Sequence, residues 1–457
     1  KPVHGCGTWA PAIRYHEGTY YVFIPMPDEG IMMCKTTDPF GKWSEPAYVR
    51  KVVGWIDPCP FWDEDGKAYM VTAFARSRIG FKSMLYMSPI EPDCSGVLDD
   101  GQFIYDGHAT QPTIEGPKLY KRNGYYYIFA PAGGVKPGWQ TVLRSKNIYG
   151  PWEEKIVLHQ GNSPVNGPHQ GAWVDTPDGQ DWFLHFQDVG NAGRIVHLQP
   201  MHWENDWPII GVNKDGNDYG EPVMEYRKPD IGKTPEELAD TQKYPVCEPD
   251  TTDEFDTEKL MLQWQWNANY DDSWYETKTD VYGNASENGS YIKLNAVPAT
   301  PLRPVGDYRN LLLQKWPAPE FTCETKMSLY GLMDGDYAGI VSLGMDYAAL
   351  GVAKKDGKYV LRTVKGKQNF DCEAAYTDEN VDEKVIDTAV FSDDTKTIYL
   401  KYTVKRTGVK QTKEMALSVD NVPVEEAVLE ISFDGKNYQD AVSYTAKAGR
   451  WVGVKNG

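Results

Sequence analysis

Much that would point to a familiar chemistry is missing from this sequence. Its seven cysteines (Cys6, Cys34, Cys59, Cys94, Cys247, Cys323, Cys372) are odd in number, scattered along 457 residues and never spaced CxxC. Neither a disulfide framework nor a zinc site is signalled. No metal-binding or nucleotide-binding motif occurs, so an organic cofactor is not expected. No apolar run approaches the roughly 18 residues that a membrane helix needs. Positive charge is scarce: 47 Lys+Arg stand against 65 Asp+Glu, a formal net charge of -18. That balance repels phosphate backbones and anionic lipid, which argues against nucleic-acid and membrane-surface partners. There is no initiator Met, charged n-region or apolar h-region at the start, so the chain is expected to begin inside a larger gene product or to have lost its beginning. The compartment is left open, with a periplasmic or secreted location favoured. Helical periodicity is scarce as well. The one fair helix candidate is "TPEELADTQ" (234–242), where Thr234 can cap with Glu237 three residues on.

What is abundant is aromatic residues and glycine: 15 Trp, 29 Tyr and 42 Gly. This composition predicts many short strands joined by tight turns, an all-β protein. The length exceeds one ordinary core, so two domains are expected. The Pro-rich stretch over 229–250 is read as the connection between a domain at 1–228 and a second at 251–457.

The first domain repeats. "WAPAIRYHEGTYYVF", "DPCPFWDEDGKAYMV", "EGPKLYKRNGYYYIF" and "HQGAWVDTPDGQDWFL" align on Ile13, Phe61, Leu119 and Trp173, and each reaches a glycine (Gly18, Gly66, Gly124, Gly179) before an aromatic strand. Each reads as a β-hairpin. The tails "TTDPFGKW" (36–43) and "SKNIYGPW" (145–152) match too. Units of about 50 residues with four short strands are the signature of propeller blades.

Four residues before each anchor stand Trp9, Asp57, Glu115 and His169. Equivalent positions at the start of a propeller's innermost strands converge on the central channel. One carboxylate at a strand start is usually a solvated or turn-capping group. Two carboxylates and an imidazole in register are harder to dismiss. Paired carboxyl groups with aromatic walls suit glycosidic bond cleavage. Glu115 is assigned as the acid that protonates the leaving oxygen. Asp57 is the second charge, keeping Glu115 protonated and aimed.

These segments resemble glycoside hydrolase family 43, five-bladed propellers with an Asp base, an Asp modulator and a Glu acid. "WAPAI" (9–13), "WIDPCPFWDEDGKAYM" (55–70) and "IEGPKLYKRNGYYYIF" (114–129) resemble the second, third and fourth blades. "PHQGAWVDTPDGQDWFLHFQD" (168–188) and "GRIVHLQPMHWENDWPIIG" (193–211) resemble the fifth. The resemblance implies that Asp57 is the pKa modulator, Glu115 the general acid and Arg194 the substrate-binding Arg. It places His169 on the channel His, which in many members contacts a central calcium or sodium ion or its waters; a His simply hydrogen-bonded in the channel is the alternative. A sister propeller family has Arg before the Asp. Here Ile56 takes that place, and it is assigned with Trp9 to the sugar-binding wall. The first blade, which carries the family's base, has no counterpart in the eight residues before Trp9, so the base is assigned to no residue. Gly138-Trp139-Gln140 replaces an acidic-His pair found in many xylosidases of the family, which tilts the expected sugar toward arabinofuranose, and Trp139, read as a lone loop aromatic, is a candidate stacking residue.

Beyond residue 250, "YIKLNAV" (291–297), "NLLLQKW" (310–316), "FTCETKMSL" (321–329) and "TKTIYLKYTV" (395–404) alternate with period two, as in an antiparallel β-sandwich. "DEFDTEKLMLQWQWN" (253–267) and "ISFDGKNYQ" (431–439) resemble the C-terminal sandwich of family 43 xylosidases and arabinofuranosidases, which implies a channel closed at one end and exo action. Trp264, Trp266 and Trp274 could form a sugar platform, but Trp264 and Trp266 alternate on one strand face and are expected in the core, and "DGD" (334–336) is weak evidence for calcium. The expected function is an exo-acting, inverting hydrolase releasing terminal α-L-arabinofuranose or β-D-xylose from plant cell-wall polysaccharide or oligosaccharide. The alternatives are a non-catalytic glycan-binding propeller and an endo-arabinanase.

Overall fold

The computed structural model of the protein describes residues 6–214, 216–232, 234, 236, 239, 250–279, 289–298, 304–368, 381–392, 394–414, 418–447 and 453–457. Most of the helix expected over 234–242 lies outside them. The chain divides into two compact units. One comprises Gly5–Asp188 and Ile195–Tyr244, and the other includes Val189–Arg194 and Pro245–Gly457.

The first unit holds four consecutive four-stranded antiparallel sheets. Sheet one is Ala12–His16 (β1), Thr19–Met26 (β2), Gly30–Thr36 (β3) and Ala47–Lys51 (β4). Sheet two is Trp55–Trp62 (β5), Ala68–Phe74 (β6), Met84–Ile90 (β7) and Gln102–Asp106 (β8). Sheet three is Lys118–Arg122 (β9), Tyr125–Ala132 (β10), Trp139–Ser145 (β11) and Glu153–His159 (β12). Sheet four is His169–Asp175 (β13), Asp181–Asp188 (β14), Arg194–Glu204 (β15) and Trp207–Ile210 (β16).

The hairpins that start each sheet are made by the glycines that mark the repeat. Gly18, Gly66, Gly124 and Gly179 have φ of 81°, 80°, 75° and 84°, a region where a Cβ would be strained. Glu17 and Asn123 precede two of them with φ of 45° and 49°, and His16 pairs with Thr19 as Arg122 does with Tyr125. Both are therefore two-residue turns with both φ positive, the form whose twist suits a hairpin. The tails repeat as well. Asp38 accepts from the Phe40 N–H at 3.0 Å, and Asn147 from the Tyr149 N–H at 2.9 Å.

Alternation along each strand sends side chains to two different cores. From β10, Tyr127 and Phe129 join Val142, Val157, Phe183 and Met201 between sheets three and four. Ile128, Ala130 and Ala132 point the other way, onto Val71, Leu85 and Met87 between sheets two and three. Phe23, Ile31, Met70 and Phe74 fill the space between sheets one and two. Four-stranded sheets, each packed face to face on the next, are consistent with a β-propeller.

The second unit is a β-sandwich. A seven-stranded sheet runs in the order Gln265–Trp266, Leu312–Lys315, Lys455–Asn456, Tyr337–Leu343, Asp346–Lys355, Lys358–Gln368, Val381–Phe391. A four-stranded sheet of Phe321–Ser328, Thr397–Glu414, Ser418–Ser432 and Gln439–Thr445 supplies the other layer. Leu350 and Val352 of the first meet Leu400, Tyr402, Leu429 and Ile431 of the second in one core. Trp264 donates to Asp253 at 2.7 Å, and Trp266 packs edge-on against the buried Trp274. The 334–336 carboxylates serve turns: Asp334 accepts from Gly357 N–H and Asp336 from Met333 N–H, each at 2.8 Å.

Sheet four tolerates no side chain at Gly171, where a Cβ would lie 2.0 Å from Cζ of the fully buried Phe183. Gly171→Ala is expected to cost about 1–3 kcal/mol, the usual range for overpacking, read as a lower denaturation midpoint at unchanged m-value.

Candidate active site

Two inner strands, and the approach to a third, are distorted at the end where the repeat places its polar residues. In sheet two the β5–β6 register shifts between Ile56 and Cys59, and Asp57 there has φ of 53°. In sheet four the β13–β14 register shifts between His169 and Ala172, with Gln170 at φ of 50°. Between them, Gly116 has φ of 57° just before β9. Left-handed backbone at a non-glycine residue costs energy and collects at functional sites.

These distortions aim side chains at one another across sheets. Asp57 is 4% exposed. Its Oδ2 accepts from the Gly116 N–H at 2.8 Å and its Oδ1 from Gln170 Nε2 at 3.0 Å. Burial, and after it the negative charge of Glu115, push the Asp57 carboxyl above the ordinary aspartate range. Glu115 donates its backbone N–H to the Pro131 carbonyl at 3.1 Å, and its Oε1 lies 3.1 Å from His169 Nε2. The Glu115 side chain is 27% exposed and that of His169 1%. Of the two carboxyl groups, Glu115 is open to a ligand and Asp57 is sealed behind it.

Proton accounting follows from the neighbours of the imidazole. His169 Nδ1 lies 3.1 Å from the Pro168 carbonyl, which can only accept, so the contact is satisfied by the tautomer that is protonated at Nδ1. In the neutral ring Nε2 is then an acceptor, and the hydrogen bond to Glu115 needs a proton on the carboxyl. The alternative, imidazolium against carboxylate, contains the same number of protons.

The other expected residues are placed as follows. Trp9 is half-buried beside the core shared by sheets two and three, with the Arg78 guanidinium 5.2 Å from its ring. Ile56 is itself a member of that core. Trp139 opens β11 rather than lying in a loop; its Nε1 donates to Gln111 at 2.8 Å and its ring stacks on His159 at 6.2 Å. Arg194 opens β15 and belongs to the unit that holds the sandwich. Both ring nitrogens of His169 are turned to protein oxygens, and among the described residues no three His, Cys, Asp or Glu side chains gather as a ligand set. His169 so placed does not fit direct ligation of a cation. Gln170 and Lys118 escaped the sequence reading. Gln170 directly follows His169 in the strand, but nothing in its residue type marks it.

Residues 1–208 match the model of the glycosyl hydrolases family 43, and residues 252–457 match the beta xylosidase C-terminal concanavalin A-like domain. The chain carries a glycoside hydrolase family 43 domain followed by the C-terminal domain of that family's beta-xylosidases. A protein of Xylanibacter ruminicola provisionally named a beta-xylosidase is 43% identical over 78% of this chain, which spans 61% of that relative's length. A Formosa agariphila beta-xylosidase is 29% identical over 99% of this chain and 74% of its own. Among solved structures, a bifunctional GH43-CE protein of Bacteroides eggerthii superposes with a TM-score of 0.70 at 25% identity, over 99% of this chain and 51% of that one.

In this protein the raised Asp57 carboxyl makes a testable demand on stability. A carboxyl held above its unfolded value contributes stability below the unfolded pKa, near about 3.9, and loses it as pH rises through the folded value. At neutral pH the buried charge is therefore a cost. Asp57→Asn, with Gln170 free to turn its amide oxygen toward the new Nδ2, is expected to melt higher than wild type at pH 7, the margin closing toward pH of about 4. A variant that melts lower at pH 7 would show that the two N–H donors outweigh burial.

Proposed function

We propose that the protein is an exo-acting, inverting glycosidase that releases terminal β-D-xylose or α-L-arabinofuranose from plant cell-wall polysaccharide or its oligosaccharides. The observation that carries this reading is the half-open Glu115 carboxyl 3.1 Å from the buried His169 imidazole, a pair that can hold the proton acid catalysis needs. Glu115 gives that proton to the leaving oxygen as the glycosidic bond breaks, and His169 holds the carboxyl in place. Asp57 touches no substrate; its buried charge favours the protonated state of the pair and its hydrogen bond fixes the backbone beside Glu115. Inversion also needs a base about 6.5–9.5 Å from the acid to activate water on the opposite face. The family resemblance implies an Asp in this role, and no described residue is assigned to it. The apolar faces carrying Ile13 and Tyr15 on sheet one, and Leu184 and Val196 on sheet four, are exposed. Such faces support a five-bladed closure with another sheet between them.

The names of the relatives favour xylose first, with arabinofuranose second. Two relatives are named as beta-xylosidases, and a 26% identical Bacteroides ovatus relative is named a non-reducing end alpha-L-arabinofuranosidase. Trp139 bears less on that choice than the sequence suggests, because its N–H and one ring face are already engaged. A calcium or sodium ion, if bound in the channel, would act through water rather than through His169.

The test compares Glu115→Gln with wild type on xylo-oligosaccharides and on aryl xylosides and arabinofuranosides. Loss of a general acid should lower kcat on the oligosaccharide by about 10²–10⁴, and by much less on an aryl glycoside whose leaving group needs no proton. Equal losses on both substrates would remove Glu115 from the role of acid. A wild-type protein that binds pentosides without cleaving them would leave a glycan-binding propeller.

A further inference from the structure

Directly behind the candidate acid sits a buried cation. Lys118, the first residue of β9, is 7% exposed. Its Nζ donates to the Gly116 carbonyl at 3.2 Å. Burial drives its pKa down, and the charged or polar groups acting on it are Cys59, Asp57 and Arg14. Arg14 reaches the same space from β1, with Nη2 3.1 Å from Cys59 Sγ and its guanidinium 5.1 Å from the Tyr120 ring. A Leu or Met would fill the Lys118 position at no electrostatic cost, whereas a buried ammonium is tolerated only where its charge and its donors are used.

The use is visible in what Lys118 holds. Gly116 follows Glu115 and is gripped at both ends. Its N–H is bonded to Asp57 and its carbonyl to Lys118. It has φ of 57°, and a Cβ on it would meet the Gln170 amide at 3.0 Å. With two soft dihedrals per residue, fixing both sides of Gly116 fixes the direction in which Glu115 leaves the backbone. Gln170 completes the clamp by holding the other oxygen of Asp57.

We propose that Lys118 is a positioning residue of the acid, holding the Gly116 link that aims Glu115 while its charge balances the buried Asp57. This rests on the glycosidase reading above. It predicts effects that a lysine serving only to fill space would not give. Around Asp57 the charged neighbours are Glu115 and Lys118, so a neutral residue at 118 leaves Asp57 harder to ionise.

In Lys118→Met, kcat should fall tenfold or more with KM within about twofold of wild type, and the acid limb of the kcat/KM profile should move to higher pH. Lys118→Arg, which keeps the charge, should leave the limb where it is. A Lys118→Met protein with wild-type kcat and an unmoved limb, or with its loss wholly in KM, overturns the proposal. A second measurement needs no turnover. Melting temperatures at pH 7 of wild type, Lys118→Met, Asp57→Asn and the double variant form a cycle. Charge balance requires Lys118→Met to cost less in the Asp57→Asn background, and equal costs in both overturn it. If Lys118→Met alone does not fold, a folded double variant supports the pairing and an unfolded one overturns it. An inactive wild type would sink the glycosidase reading while the cycle still judged Lys118.

Discussion

One buried carboxylate holds the candidate site together. Asp57 comes from sheet two, the Gly116 N–H from the approach to sheet three and the Gln170 amide from sheet four. Three successive sheets, already packed pairwise through their hydrophobic cores, are thereby tied at their inner ends by two hydrogen bonds to a single charged group. Bonds to an ionised acceptor are stronger than neutral ones and are directional. Packing between sheets sets their spacing, but it cannot set a side chain to within an ångström. The Asp57 bonds supply that precision, at the expense of keeping a charge out of water.

The distortions around Asp57 belong to the same arrangement. A regular inner strand would place side chains alternately toward the two neighbouring sheets and none along the strand end. Shifting the register at Asp57 and again at Gln170 turns polar groups out of that alternation and toward each other. The reactive carboxyl then needs only to be the one left open. Glu115 is the carboxyl left open, with its imidazole partner enclosed and its aspartate neighbour sealed, which suits it to the role proposed for it. The division of labour between the two carboxyl groups thus comes from exposure rather than from residue type.

Much of this was legible in the residues themselves. The hairpin glycines, the aromatic strands that follow and the matched tails carry a local rule, positive φ at the turn and alternation beyond it, that holds in any context. The period-two strands of the sandwich were visible for the same reason, although their cross-sheet order is a matter of distant contacts. Asp57, Glu115 and His169 could be grouped because the repeat aligned them. Lys118 and Gln170 could not, since a Lys or Gln near a strand start usually faces water and only the surrounding burial gives either a role. Trp139 looked like a loop residue after three glycines and a proline. Its strand pairing with His159 and its bond to Gln111 depend on neighbours 20 and 28 residues away.

The unit that contains the sandwich is not continuous in sequence. Its short segment Val189–Arg194 is an excursion between β14 and β15, and there the Asn191 carbonyl accepts the Val454 N–H at 2.8 Å while the Asn191 amide reaches the Ala446 carbonyl. Modularity is therefore incomplete. A gene cut in the Pro-rich stretch would deliver a first half with a loop stripped of its partners, and a second half whose last strand had lost an acceptor. Swapping C-terminal sandwiches among relatives would have to exchange that six-residue loop as well.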